Sequence, residues 1–175
     1  MLPRLTLALG LVLSGCSAST LGSGDYDADA NLTRYQSAPV PLGRATQGTY
    51  ASGVRLILRA SGECVGEGCT PASYVISVSN TGATEVASDF NQVIFATPDG
   101  SISFDAGRDA EGADNSTVFF NSGRGELVRL LIPSDIFASF ATSPTLSVKL
   151  GAQEYAVPYE SRASLRRMLE GTAEA

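Results

Sequence analysis

With 175 residues, 43% of them hydrophobic, the chain is long enough for one domain with a buried core and too apolar for a disordered one. Its net charge is -6 and its twelve basic residues, all arginine but one, form no run beyond Arg166-Arg167, so it lacks the footprint that displaces counterions from nucleic acid. It has no histidine, which excludes a Ser-His-Asp triad, Cys-His catalysis and the commonest neutral metal ligand.

Arg4 precedes "LTLALGLVL" (5–13), an apolar run of nine residues. A membrane-spanning helix needs about 20, whereas a run this short has the length of a signal-peptide core. No later run approaches spanning length, so no transmembrane helix is expected in the mature chain. Leu13-Ser14-Gly15-Cys16 comes next and resembles the lipobox of bacterial lipoproteins. The resemblance implies a signal peptide over 1–15, cleavage before Cys16, and acylation of Cys16 as the first mature residue. An ordinary signal peptide cut nearby, with Cys16 incidental, is the alternative. By the same resemblance, Ser17 in place of Asp directs such a lipoprotein to the outer membrane, facing the periplasm, in a host with two membranes. Several acyl chains hold a protein stably where one holds weakly.

Residues 16–53 are rich in Ser, Gly, Ala, Asp and Thr, and their apolar positions show no regular spacing. They are expected to form a flexible tether, stiffened by "APVPLG" at 38–43. "DYDADAN" (25–31) begins like a calcium loop. It fails at position six, Ala30 instead of Gly, and at position twelve, Gln36 instead of Glu, so a solvated acidic linker is expected.

From 54 to 160 short β-branched and aromatic runs follow one another: "VRLILRA", "SYVISVSN", "QVIFAT", "SISF", "STVFF", "ELVRLLI", "TLSVKL" and "EYAVP". In the second of these Tyr74, Ile76 and Val78 share a face, while Val75 points the other way. Turn signals separate the runs, among them Asn80-Thr81-Gly82, Pro98-Asp99-Gly100 and Gly151-Ala152. Closely spaced strands without intervening helices predict an antiparallel sandwich or barrel, with hairpins at Pro98-Asp99-Gly100 and "KLGAQEYAV". A single helical turn is expected over 133–140, capped by Ser134. A C-terminal helix is expected over 161–170, with Ser161 as cap, Leu165, Met168 and Leu169 on one face, and Gly171 at the C-cap. Its expected task is to pack on the sandwich, and binding a partner is the alternative.

"YVISVSNTG" followed by "VIFATPDG" resembles immunoglobulin-like modules of secreted and lipid-anchored bacterial proteins, over 54–158. The chain departs from such modules in having no Trp and no distant cysteine pair between sheets. The resemblances imply an all-β protein: an antiparallel immunoglobulin-like β-sandwich over 54–160, then a short C-terminal helix and tail over 161–175.

An exported chain meets an oxidising environment, so Cys64 and Cys69 in "GECVGEGCT", the even pair left once Cys16 carries lipid, are expected to form a disulfide. Their spacing is not the C-x-x-C of redox enzymes. "DAGRDAEGADN" gathers Asp105, Asp109, Glu111 and Asp114, oxygen ligands that could hold calcium; a solvated hairpin loop, with Arg108 as opposing charge, is the alternative. No catalytic residue and no cofactor is expected. The expected function is that of a non-enzymatic, membrane-anchored envelope lipoprotein whose sandwich contacts another envelope protein or component. Calcium or small-ligand binding through 105–115 is the alternative, and a carboxylate-based hydrolase a third class.

Overall fold

The computed structural model describes residues 22–43, 45–47, 53–84, 92–105, 119–120 and 124–171. In chain order the strands are β1 (Asp25–Asp27), β2 (Leu32–Gln36), β3 (Val40–Pro41), β4 (Ala45–Gln47), β5 (Leu56–Val65), β6 (Ser73–Asn80), β7 (Gln92–Thr97), β8 (Gly100–Asp105), β9 (Phe119–Phe120) and β10 (Gly125–Pro133). Helix α1 (Ser134–Thr142), strands β11 (Ser147–Leu150) and β12 (Gln153–Ala156), a 3-10 turn (Glu160–Arg162) and helix α2 (Ala163–Glu170) complete the fold.

The strands form two antiparallel sheets, so the chain is all-β with helical additions. One sheet runs β1-β2-β5-β6-β10-β9, with β3 also on β5; the other runs β4-β12-β11-β7-β8. Alternation explains the central strands: β6 buries Tyr74, Ile76, Val78 and Asn80 and turns Ser73, Val75, Ser77 and Ser79 outward. In β10 the register shifts between Glu126 and Val128, which lets Leu127 and Val128 both be buried before alternation resumes at Leu130 and Ile132. These residues share one core with Val93, Phe95, Val148, Leu150 and Tyr155 of the second sheet. The arrangement is sandwich-like.

Helix α1 links the two layers. Phe137 and Phe140, three apart and therefore on one face, stack on different sheets: Phe137 on Tyr74 of β6 at 3.9 Å between centroids, Phe140 on Phe95 of β7 at 4.7 Å. The helix is longer than the single turn expected. Ser134 does not cap it; its hydroxyl donates instead to the Pro71 carbonyl, tying the helix start to the sheet. Helix α2 packs inward as expected through Leu165 and Met168, both fully buried, with Leu169 half-buried. It starts after the 3-10 turn, so Ser161 is not its cap. Gly171 has φ -61, so no left-handed cap closes the helix; its N–H simply continues to Arg167 O at 2.9 Å.

The expected flexible tether over 16–53 is corrected where the chain is described. There β1, β2 and β3 belong to the first sheet, and Tyr35 and Val40 are core residues. Composition concealed this because two inward positions are small hydroxyl residues. Thr33 Oγ1 donates to Gly66 O at 2.5 Å, and Ser37 Oγ accepts the Ala60 N–H at 2.8 Å while Ser37 N–H donates to Ala60 O at 2.8 Å. Thr33 and Ser37 are thus buried with their hydrogen bonds made. "DADAN" is the β1–β2 turn: Asp27 Oδ1 accepts the Ala30 N–H at 3.1 Å, and Asn31 takes φ 49. The folded domain therefore does not begin at 54.

The predicted hairpins form. Thr97 pairs with Gly100 around Pro98-Asp99, and Leu150 pairs with Gln153 around Gly151-Ala152. At Asn80-Thr81-Gly82 the buried Asn80 amide organises the turn, accepting N–H from Gly82 (3.0 Å) and Arg55 (3.3 Å) and donating to Thr84 O (2.8 Å). A Cβ on Gly82 would lie 1.9 Å from the Gly53 carbonyl oxygen, so only glycine fits there.

Candidate functional site

Cys64 and Cys69 are joined by a disulfide, with their Cα atoms 5.9 Å apart. Cys64 lies in β5, and the loop beyond it turns back through Gly66 (φ 102) and Gly68 (φ 64), values that favour glycine. Three hydrogen bonds lay this loop on β2 and the turn before it: Gly66 N–H to Asn31 O at 3.0 Å, Thr33 Oγ1 to Gly66 O, and Tyr35 OH to Cys69 O at 2.8 Å. The last one gives the hydroxyl of a buried ring its partner, and burial pushes the Tyr35 phenol up. Val65 stands out at the tip, 75% exposed.

Beside the loop, the outer face of the first sheet carries an open groove of about 430 Å³. Pairing across four strands sets its geometry: Gln36 faces Ser61, Ser61 faces Val75 and Val75 faces Leu131. Arg34 faces Glu63 in the next row. The groove therefore has an apolar strip, Val75 and Leu131, bordered by Gln36, Ser61, Arg34 and Glu63. Arg34 is held by Asp27 at 3.2 Å. The Ala30 N–H, then the Arg34 guanidinium, hold the Asp27 carboxyl below the usual carboxylate range. The face thus sets an apolar strip beside hydrogen-bonding groups.

Leu131 was legible in principle. In "LLIP" the middle apolar residue of a strand must face away from its neighbours, and Leu131 is 44% exposed while Leu130 and Ile132 are buried. What single-sequence pattern does not carry is that Val75, the outward residue of β6, lies directly opposite it.

Of the other sequence-derived site residues, Asp105 is described: it ends β8 and accepts a hydrogen bond from Gln92 Nε2 at 2.9 Å. Asp109, Glu111, Asp114 and Cys16 lie outside the described residues. Among the described residues no group of three or more Cys, Asp or Glu side chains is placed to hold a metal ion.

A second polar feature was not foreseen. Arg162, in the 3-10 turn before α2, is wholly buried. Its guanidinium donates to Phe140 O, to Ser143 O at 2.7 Å and to Pro144 O at 3.4 Å. These carbonyls lie at and just beyond the C-terminus of α1, where unpaired oxygens and the negative end of the helix dipole favour a cation. Burial, then the neighbouring Arg166 charge, lower its pKa, with Tyr159 acting the other way.

Comparison with family models, with curated proteins and with solved structures finds no match.

Proposed function

We propose that this chain is a lipid-anchored envelope protein without catalytic activity, a lipoprotein whose immunoglobulin-like β-sandwich contacts another envelope protein or component. One observation carries the anchor: Leu13-Ser14-Gly15-Cys16 directly follows a charged start and a short apolar run. In this proposal acyl chains on Cys16 hold the domain at the outer membrane, facing the periplasm, in a host with two membranes. The absence of histidine from the sequence supports a binding role over hydrolysis, and the Val75–Leu131 groove supplies a face that a partner could cover. The Cys64–Cys69 bridge is consistent with an oxidising compartment.

The test is Cys16→Ala in the full chain, with intact mass and membrane fractionation as readouts. The expected result is loss of the acyl mass and of sedimentation with membranes. A Cys16→Ala protein that still carries acyl mass overturns the anchor.

A further inference from the structure

Gly22 lies against α2. A Cβ on Gly22 would sit 2.9 Å from both Arg167 Cβ and Ser164 O, and its N–H donates to Gln36 O at 3.0 Å. Gly171, just past α2, approaches Ser23 and Gly24 equally closely: a Cβ there would lie 3.7 Å from Ser23 Cα and from Gly24 N. Residues 22–24 are therefore seated along this helix. Five residues, Ser17 to Leu21, separate Cys16 from Gly22. Fully extended, that connection reaches at most roughly 20 Å. The sandwich then stays close to whatever holds Cys16, and α2, with the Gln36 end of β2, lies beside Gly22.

The same edge carries Tyr159, 41% exposed. The Arg166 guanidinium lies 3.9 Å over its ring centroid and donates to Tyr159 O at 2.8 Å. Arg167 is exposed beside Gly22. Glu160 and Glu170 are exposed there too, so chain reach, and not net charge, sets the orientation. An amphipathic phenol and guanidiniums with apolar stems are suited to a headgroup layer. We infer that the α2 edge, presenting Tyr159, Arg166 and Arg167, faces the bilayer and contacts phospholipid headgroups. This rests on the Cys16 anchor proposed above. The anchor makes the contact effectively intramolecular, so weak interactions suffice.

The chain has no tryptophan, so a single one reports its own surroundings. Tyr159→Trp probes the edge and Arg124→Trp the far corner. Arg124 precedes Gly125, which pairs with Asn80, whereas Gln36 is level with Ser61 and Val75. The corner is thus three strands across and five residues along from Gln36, about 14 Å and about 17 Å. Each full-length protein, its acylation read by intact mass, is reconstituted in phosphatidylethanolamine–phosphatidylglycerol vesicles carrying a lipid with a headgroup nitroxide. The expected result is loss of emission from the Tyr159→Trp protein and none from the Arg124→Trp protein. Acylated proteins quenched equally, or not at all, overturn the orientation and leave the anchor standing. An unquenched Tyr159→Trp protein shielded from a soluble quencher places a second copy or the protein's own surface there and overturns it too. Absence of acyl mass overturns the anchor and the orientation together.

Discussion

The corner between α1 and α2 and the disulfide loop on β2 are two irregular regions held by different physics. The corner relies on Arg162, a buried cation whose partners are main-chain carbonyls at the end of α1. The loop relies on a covalent bond with three hydrogen bonds laid over it. The arginine acts in the folded state: its removal leaves buried acceptors without donors and a large side chain's volume empty. The disulfide acts mainly on the unfolded chain, where it closes a short loop. A buried charge is tolerable in this fold because a helix end has unpaired oxygens to offer, with no carboxylate required.

The largest expected effect breaks the first region. Arg162→Ala should destabilise the protein by about 3 to 4 kcal/mol, from lost charge-assisted hydrogen bonds and lost packing. Arg162→Lys should recover only part of this, because an ammonium cannot reproduce the fork that reaches both Phe140 O and Ser143 O. Urea midpoints measure both, and a lysine variant as stable as the parent would show that charge alone, and not the fork, holds the corner. The second region should give less. Cys64→Ser with Cys69→Ser should cost about 2 kcal/mol, the loop-closure entropy of so short a ring. A loss much larger than that would mean that the bridge also holds the native hydrogen bond from Tyr35 to Cys69 O.

These regions also mark how far the sequence could be followed. β5, β6, β7 and β10 were legible as strands because their inward positions are large and apolar, and two hairpins were legible from their turn residues. The Cys64–Cys69 bridge was legible from the reasoning that assigned Cys16 elsewhere. β2 was not, because Thr33 and, just past the strand, Ser37 put small hydroxyl residues at inward positions, a composition that reads as linker until the Gly66 carbonyl and the Ala60 N–H that satisfy them are known. Arg162 was not, because its partners are backbone carbonyls that leave no mark on residue type. Gly22 read as one more linker glycine until the helix against it was known. The groove joins residues from four strands that only register brings together.

The smallest predicted effect concerns a buried polar group that, unlike the terminal nitrogens of Arg162, meets no carbonyl. Tyr74 is wholly buried and stacked on Phe137, and its hydroxyl makes no hydrogen bond. The terminal nitrogens of Arg162 have carbonyls to receive their protons, although its buried Nε–H has none; the Tyr74 hydroxyl has lost water and gained nothing. Tyr74→Phe keeps the ring and removes the stranded group, so it should be neutral or stabilising by up to about 1 kcal/mol. Its pH dependence has a definite sign. Burial, with a smaller effect of Tyr35, pushes the Tyr74 phenol from 10.0 up to about 12, so the folded state keeps the proton where the unfolded chain releases it. The contribution of the neutral phenol is full below pH 10 and is lost as pH rises through about 12. The parent should therefore lose more stability than Tyr74→Phe between neutral pH and about pH 11, by an extra ~1 kcal/mol. Urea midpoints of the two proteins at both pH values decide it. Parallel pH curves would mean that the Tyr74 hydroxyl is solvated or bonded in the folded protein, and its contrast with Arg162 would disappear.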